Sequence, residues 1–231
     1  MSTMDIIRAR HSVRSYEARA IEPQTLKQLR SVVETCARES GLDIQLVENN
    51  PEVFGLVGRV GVIRGTATSI AFMARGSEDD EAIGYWGQKI VLAAQEMGLN
   101  TCWVMMVSRK KTKAVAREGR TLRIAIAVGY GTTQGRPRKT RPLDELCCVE
   151  SAGGTASGPA PLPDWFATAM EAAQLAPTGV NAQKFRITLR SDGRTVYAEA
   201  ISGGLARLDL GIVKRNFEEA ANETGADWHW E

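Results

Sequence analysis

Histidine is scarce in this chain, whose 231 residues include only His11 and His229. A metal centre built from several histidines is therefore excluded, and a serine–histidine–aspartate triad would have to use one of these two. His11 lies between Arg10 and Arg14, and His229 is two residues from the end of the sequence. Neither looks like a catalytic base, so an enzyme of this sequence is expected to take its reactive group from a cofactor.

Cysteine is also sparse, and the four cysteines have no Cys-x-x-Cys spacing. We interpret them as free thiols, which fits a reducing compartment and predicts a cytoplasmic protein. No stretch approaches the roughly 20 apolar residues of a membrane-spanning helix. The first 14 residues are charged throughout and lack the apolar core of a signal peptide.

Net charge is almost absent, because 29 lysines and arginines oppose 27 aspartates and glutamates. Such a balance gives no global field that would attract nucleic acid or a membrane surface, although a local basic patch remains open. With 43% hydrophobic and 24% charged residues, the composition is that of an ordinary soluble globular protein. We therefore expect a small-molecule substrate, with neither a nucleic acid nor a membrane as partner.

A linker is predicted at 151–163, where the sequence reads SAGGTASGPAPLP and contains three glycines and three prolines. It divides the chain into a first part, 1–150, and a shorter second part, 164–231. The length of the chain suits one large domain or two small ones.

The two parts contain the same short pattern at a constant offset. When Gly84 is aligned with Gly211, an Ala-Ala pair, a glutamate, a glycine and a tryptophan also coincide. The matches are Ala93-Ala94 with Ala220-Ala221, Glu96 with Glu223, Gly98 with Gly225, and Trp103 with Trp230. This indicates a two-copy repeat, in which related halves pack like a dimer fused into one chain and leave the protein monomeric. The alternative is coincidence between two helices rich in alanine and glutamate.

Hydrophobic periodicity and turn residues predict an α+β fold. The predicted helices cover residues 4–8, 23–38, 80–97, 109–117, 164–175 and 205–223. The predicted strands cover residues 43–48, 59–64, 69–75, 101–107 and 122–128. They continue with a hairpin at 185–190 and 195–201, and a short strand closes the sequence.

Arg10, Ser12 and Arg14 alternate in a segment predicted to be extended, where alternate side chains point the same way. Two guanidinium groups and a hydroxyl on one face would suit a phosphate, which needs positive charge and several hydrogen-bond donors. A solvated charged arm is the alternative for this segment taken alone.

A second basic segment reads GRPRKTRP at 135–142 and follows a buried strand and a glycine-rich turn. Its cations are Arg136, Arg138, Lys139 and Arg141. They form a local patch that is either part of a site, a solvated loop, or a weak contact with nucleic acid. No aromatic residues alternate with these charges, which disfavours binding of a single nucleic-acid strand.

Two further segments could contact a flat ligand. Residues 176–185 join a helix to a strand, and their small residues let the backbone approach a ligand while Asn181 and Gln183 both donate and accept hydrogen bonds. Residues 98–106 form an apolar strand that could cover an aromatic cofactor. A plain turn and a plain core strand are the alternatives.

Together these segments resemble the nitroreductase family of FMN-dependent oxidoreductases. The residues that carry the resemblance are 7–16 (IRARHSVRSY), 98–104 (GLNTCWV), 129–131 (GYG), 139–141 (KTR) and 176–183 (APTGVNAQ). The resemblance implies a nitroreductase-like α+β fold and bound FMN. It also implies hydride transfer from NADH or NADPH, by a ping-pong mechanism, to a nitroaromatic, quinone, flavin or other electron-poor acceptor. A flavin-binding protein of the same fold without turnover is the alternative.

The resemblance also implies which residues contact FMN. The phosphate would be held by Arg10, Ser12 and Arg14, with Lys139 and Arg141 alongside. His11 would also contact the cofactor. The flavin ring would face Trp103, Val104, Met105 and Met106. It would be covered by Pro177, Thr178, Gly179, Asn181 and Gln183.

One departure from the family concerns the position of the Asn/Gln loop. Family members carry it soon after the first long helix and reach with it across a homodimer interface. Here that place, residues 34–41, reads ETCARESG, and the loop follows the helix predicted at 164–175 instead. The first part thus holds the phosphate elements and the second part holds the loop. This division predicts an intramolecular pseudo-dimer with one complete FMN site per chain.

Overall fold

The computed structural model describes residues 1–151 and 162–231, so most of the predicted linker 151–163 lies outside the described residues. The α-helices are α1 (Thr3–Ala9), α2 (Pro23–Ser40), α3 (Gly55–Arg59), α4 (Asp80–Glu96), α5 (Leu143–Leu146), α6 (Asp164–Gln174) and α7 (Ala206–Glu223). The strands are β1 (Asp43–Val47), β2 (Thr68–Ala74), β3 (Asn100–Val104), β4 (Thr121–Gly129), β5 (Cys147–Val149), β6 (Phe185–Leu189), β7 (Thr195–Ala200) and β8 (His229–Trp230). None of the described helices combines the length and the apolar character needed to cross a bilayer.

The strands form two four-stranded sheets. The first sheet has the order β1-β2-β4-β3 and is antiparallel throughout, and the second has the order β5-β6-β7-β8. In the second sheet β6 and β7 form the predicted hairpin, while β5 and β8 pair in parallel at its edges. Because β5 precedes residue 150, the predicted boundary between the parts does not coincide with the division between the sheets.

Local sequence explains where the main helices begin and end. Ser2 and Asp5 form a capping box that starts α1. Pro23 occupies the first turn of α2, and Gly41 ends that helix in a left-handed conformation with φ of 72°. β4 is buried along almost its whole length, as the apolar run LRIAIAV predicts, because both faces of the first sheet are covered by apolar side chains.

The close contacts between α4 and α7 are related by the same residue offset as the sequence repeat. A Cβ added to Gly84 would collide with the carbonyl oxygen of Leu208, and one added to Gly211 would collide with the carbonyl oxygen of Glu81. These two contacts are exchanged when each residue is replaced by its repeat partner, which is the pattern of an isologous interface. The order long helix, strand, strand, long helix, strand also occurs in both parts, as α2-β1-β2-α4-β3 and as α6-β6-β7-α7-β8, and the first part adds the long strand β4.

Two predicted elements are wrong. Residues 59–64 were predicted as a strand, but α3 ends at Arg59 and turns follow, with Gly61 at a φ of 74°. Residues 109–117 were predicted as a helix but form turns, in which Asn50 accepts the N–H of Lys113 at 2.7 Å and donates to the carbonyl of Lys111 at 2.9 Å. The like charges of this segment disfavour a helix, and these bonds hold an irregular course instead.

Candidate functional site

Two adjoining cavities lie between the first sheet and the second part of the chain. We call them the apolar cavity, of about 510 Å³, and the basic cavity, of about 660 Å³. Five residues line both cavities: Ser12, Arg14, Pro177, Thr178 and Val180. The N-terminal segment and the loop 177–183 therefore connect the two spaces into one elongated site.

The walls of the apolar cavity come from both parts of the chain. Cys102 and Trp103 of β3 form one wall, and Leu208, Asp209 and Ile212 of α7 form another. The indole of Trp103 stacks on Phe72 with ring centroids 5.7 Å apart, and its buried Nε1 has no hydrogen-bond partner among the described residues. Met105, Ile124, Lys184 and the segment 202–206 complete the lining.

The basic cavity is lined by four cations and by no carboxylate. The cations are Arg14, Arg136, Arg138 and Lys139. Within residues 1–151 and 162–231, the side chains of Arg14, Arg136 and Lys139 form no hydrogen bond or ion pair, whereas most arginines elsewhere on the described surface are paired with acids. The cavity therefore concentrates positive charge that suits an anion.

The half-buried Arg138 of this lining is paired with the buried Arg10 behind the cavity wall. Arg138 donates to the carbonyl of Leu175 and, at 2.6 Å, to that of Arg10, while Arg10 donates to the same Leu175 carbonyl at 3.5 Å. Burial lowers the pKa of Arg138 to about 10 and, together with the nearby charge of Arg138, lowers the pKa of Arg10 well below its ordinary value. Arg10 thus adds to the positive potential that Arg138 and the other lining cations give the basic cavity.

The loop 177–183 is held in a strained form above both cavities. Val180, Asn181 and Gln183 have φ values of 47°, 57° and 48°, in a region that residues with side chains seldom occupy. Gln183 donates its backbone N–H to the Thr178 hydroxyl at 3.0 Å, and Asn181 donates its side-chain amide to the carbonyl of Lys139 at 2.8 Å. These bonds tie the loop to the basic segment, so both contribute to the same site.

Comparison with known proteins identifies the family of the chain. A family model described as "Putative TM nitroreductase" matches residues 2–221. The chain belongs to this nitroreductase family. The α+β nitroreductase-like fold that the sequence predicts is therefore confirmed. No curated protein matches the sequence.

The solved structures of two nitroreductases share the fold, and a third is less similar. A nitroreductase of Thermotoga maritima has a TM-score of 0.63 and 20% identity, with 97% of this chain and 85% of that chain covered. An NADH dehydrogenase/NAD(P)H nitroreductase of Parabacteroides distasonis has a TM-score of 0.50 and 19% identity, with 62% of this chain and 95% of that chain covered. An FMN-dependent nitroreductase of Clostridium difficile has a TM-score of 0.45 and 16% identity, with 62% and 94% covered.

Most residues predicted to contact a cofactor line the cavities of this nitroreductase. They are Ser12, Arg14, Trp103, Met105, Lys139, Pro177, Thr178, Gly179 and Asn181. Six predicted residues line neither cavity: Arg10, His11, Val104, Met106, Arg141 and Gln183.

Each of these six residues has another position in the fold. Val104 points into the apolar cluster on the opposite face of the first sheet, because neighbouring strand residues alternate in direction. Met106 is exposed, and His11 Nδ1 lies 2.9 Å from the Ala9 carbonyl oxygen. Arg141 pairs with Glu145 at 2.6 Å. Arg10 and Gln183 are buried behind the cavity walls.

Gln183 supports the basic segment from outside the two cavities. Its side-chain oxygen accepts the N–H of Arg141 at 3.0 Å, and its side-chain nitrogen donates to the carbonyl of Lys139 at 3.1 Å. Gln183→Leu keeps a similar size but leaves the Arg141 N–H without its partner. We expect about tenfold weaker FMN binding, equal to about 1.4 kcal/mol, because the basic segment loses its support. Flavin-fluorescence titration measures the change, and unchanged affinity would contradict the supporting role.

Asp209 lies in the apolar cavity and was not predicted from the sequence. Its two carboxylate oxygens lie 2.9 and 3.0 Å from the backbone nitrogen of Gly179, whose N–H they accept. Burial raises the pKa of Asp209 to about 6, although the hydrogen bond from Gly179 opposes this shift. The available signal was an acid between Leu208 and Leu210 on the apolar face of a predicted helix.

Proposed function

We propose that this nitroreductase is an FMN-dependent oxidoreductase that passes electrons from NADH or NADPH to an electron-poor acceptor, such as a nitroaromatic, a quinone or a flavin. The observation that carries the proposal is the joined pair of cavities, one apolar and one basic. An aromatic ring system attached to a phosphate requires this division. Each of the two cavities, of about 510 and 660 Å³, also has the size of an ordinary ligand site.

The residues present fit FMN. Arg14, Arg136 and Lys139 are cations in need of an anion, which suits the phosphate. Trp103 gives the apolar cavity an aromatic wall, which suits a flat aromatic ring system. When bound, FMN supplies the chemistry of accepting and delivering a hydride.

The residues of the chain then bind the cofactor, orient it and exclude water from it. Ser12 and Arg14 would hold the phosphate of FMN. Lys139, which belongs to the basic segment 135–142, would neutralise the charge of that phosphate. Pro177, Thr178 and Gly179 form the part of the loop that would cover the flavin. Because these groups come from both parts of the chain, the site requires both parts in one molecule.

The repeat supports one such site per chain. Applying its offset to Trp103, Leu205, Leu208, Asp209 and Ile212 of the apolar cavity gives Trp230, Glu78, Glu81, Ala82 and Tyr85, which line another cavity of about 440 Å³. There Lys214 donates to Glu81 at 2.9 Å and Trp230 donates to Glu218 at 3.1 Å. This second cavity has neither the loop 177–183 nor the basic segment in its lining. We interpret the chain as a fused pseudo-dimer that keeps one of two equivalent sites.

Titration of the purified protein with FMN tests this proposal. We expect visible flavin absorption, saturation at one FMN per chain, and oxidation of NADH or NADPH when a quinone is added. The mass of the complex in solution is expected to be that of a monomer. Saturation at two FMN per chain would contradict the single site. Flavin binding without turnover would leave a flavin-binding protein, and no flavin binding would overturn the proposed function.

A further inference from the structure

Asp209 is a buried acid with unused hydrogen-bonding capacity. It is 7% exposed, and the single N–H of Gly179 serves both of its oxygens. A carboxylate can accept about four hydrogen bonds. The other buried aspartate, Asp80, is instead bound by both Nε and Nη2 of Arg123, at 2.8 and 2.7 Å. Asp209 thus has the burial of a structural acid, but among residues 1–151 and 162–231 no cation is bonded to it, although a cation usually accompanies a buried acid.

The repeat supplies an internal comparison for this position. Asp209 corresponds to Ala82 in α4, and Ala82 is exposed and uncharged. Packing of the α4–α7 pair therefore does not require an acid here. We attribute the acid to the apolar cavity. Asp209 lines this cavity, whereas Ala82 lines the repeat-related cavity.

We propose that Asp209 donates the proton that an acceptor requires when it is reduced in the apolar cavity. This inference rests on the proposed function. An acceptor that gains two electrons as a hydride from the reduced flavin also gains a negative charge. The O–H bond of the Asp209 carboxyl breaks as a new O–H bond forms on the acceptor, and the resulting carboxylate is reprotonated by hydronium or buffer acid from the solvent. Gly179 donates its N–H to this carboxylate and thereby stabilises the charge.

The surroundings of Asp209 fit a group that changes its protonation state near neutral pH. The titratable groups that share its cavity are Arg14 from the N-terminal segment, Cys102 from β3 and Lys184 next to the loop. From α4, Glu81 is bonded to Lys214, and burial raises the pKa of the Cys102 thiol. With a pKa of about 6, Asp209 keeps a protonated fraction at neutral pH, as efficient general acids do.

Asp209→Asn separates proton donation from loop support, because the amide oxygen still accepts the N–H of Gly179. In the flavin-loaded protein we expect reoxidation by a quinone to slow about 100-fold. Reoxidation by ferricyanide, which takes electrons without a proton, should change less than twofold. The wild-type rate with quinone should fall tenfold per pH unit above about 6, and the variant should lose this dependence. Asp144→Asn, at an exposed site, is the matched control.

A second measurement needs no flavin. Because burial raises its pKa, the ionised Asp209 is less stable in the folded than in the unfolded chain. The free energy of unfolding therefore falls as the pH rises from about 4 to about 6. In flavin-free protein, the urea midpoint of the wild type should therefore fall relative to that of Asp209→Asn as the pH rises over this range.

The outcomes separate the two proposals. Equal slowing of quinone and ferricyanide reactions would show a structural role and overturn proton donation. Parallel stability curves across pH 4–6 would show that Asp209 does not titrate there and would also overturn it. Failure of the wild-type protein to bind FMN or to oxidise NADH and NADPH would overturn the proposed function, and proton donation with it.

Discussion

Gly84→Ala is expected to destabilise the protein by about 3 kcal/mol, although the same substitution on an open helix surface usually stabilises by about 1 kcal/mol. The reason is that the new methyl group would meet the carbonyl oxygen of Leu208, which is backbone and cannot rotate away. The two helices must then separate, and the buried bond from Gln88 to Asn216, of 2.9 Å, would lengthen. Urea unfolding followed by circular dichroism measures the loss.

Gly211→Ala is expected to have a similar effect, because its methyl group would meet the carbonyl oxygen of Glu81. The double variant should lose less than the sum of the single variants, since separating the helices once relieves both contacts. Gly204→Ala is the control, as a Cβ there has no atom within 4 Å. A change below about 0.5 kcal/mol in Gly84→Ala would contradict the close packing of α4 and α7.

The reciprocal glycine contacts explain how one chain can build a site that requires two parts. The α4–α7 interface places β3, which follows α4, across the apolar cavity from α7. The loop 177–183 follows α6 and reaches the basic segment through Asn181 and Gln183. In the fused pseudo-dimer that we propose, this arrangement would not depend on protein concentration. The two repeat-related cavities would also be free to differ, as Asp209 in one and Ala82 in the other do.

The fold was largely predictable because its main elements have strong periodicity and clear boundaries. Pro23 and Gly41 mark α2, and the apolar run at 122–128 marks β4. The errors occurred where the pattern was short. Val60 and Val62 alternate as in a strand, yet both are exposed, because Gly61, at a φ of 74°, allows a turn there.

The site was only partly predictable, because burial and tertiary contacts determine where a side chain points. Alternation predicted a common face for Arg10, Ser12 and Arg14, but Arg10 closes α1 and is buried against the Leu175 carbonyl. No sequence motif marks Asp209 as a site residue. Its place in the cavity depends on the packing of α7, which residue spacing alone does not specify.

Arg14→Ala is expected to weaken FMN binding by about 1.5–3 kcal/mol, or roughly 10- to 150-fold, the loss typical of a charge-assisted hydrogen bond. Arg14 lines both cavities, is exposed, and has no hydrogen-bond or ion-pair partner within the described parts of the chain. Its removal should therefore leave the stability of the flavin-free protein almost unchanged. Flavin-fluorescence titration at fixed ionic strength measures the affinity.

Riboflavin distinguishes a phosphate contact from a general effect on the site, because it has the flavin ring but no phosphate. Riboflavin should bind equally to the wild-type protein and to Arg14→Ala, and Arg14→Lys should recover part of the FMN affinity because it restores the charge without the guanidinium fork. Arg59→Ala, at an exposed arginine that lines neither cavity, should leave both affinities unchanged. An equal loss of riboflavin and FMN binding in Arg14→Ala would show that Arg14 shapes the cavity and does not bind the phosphate.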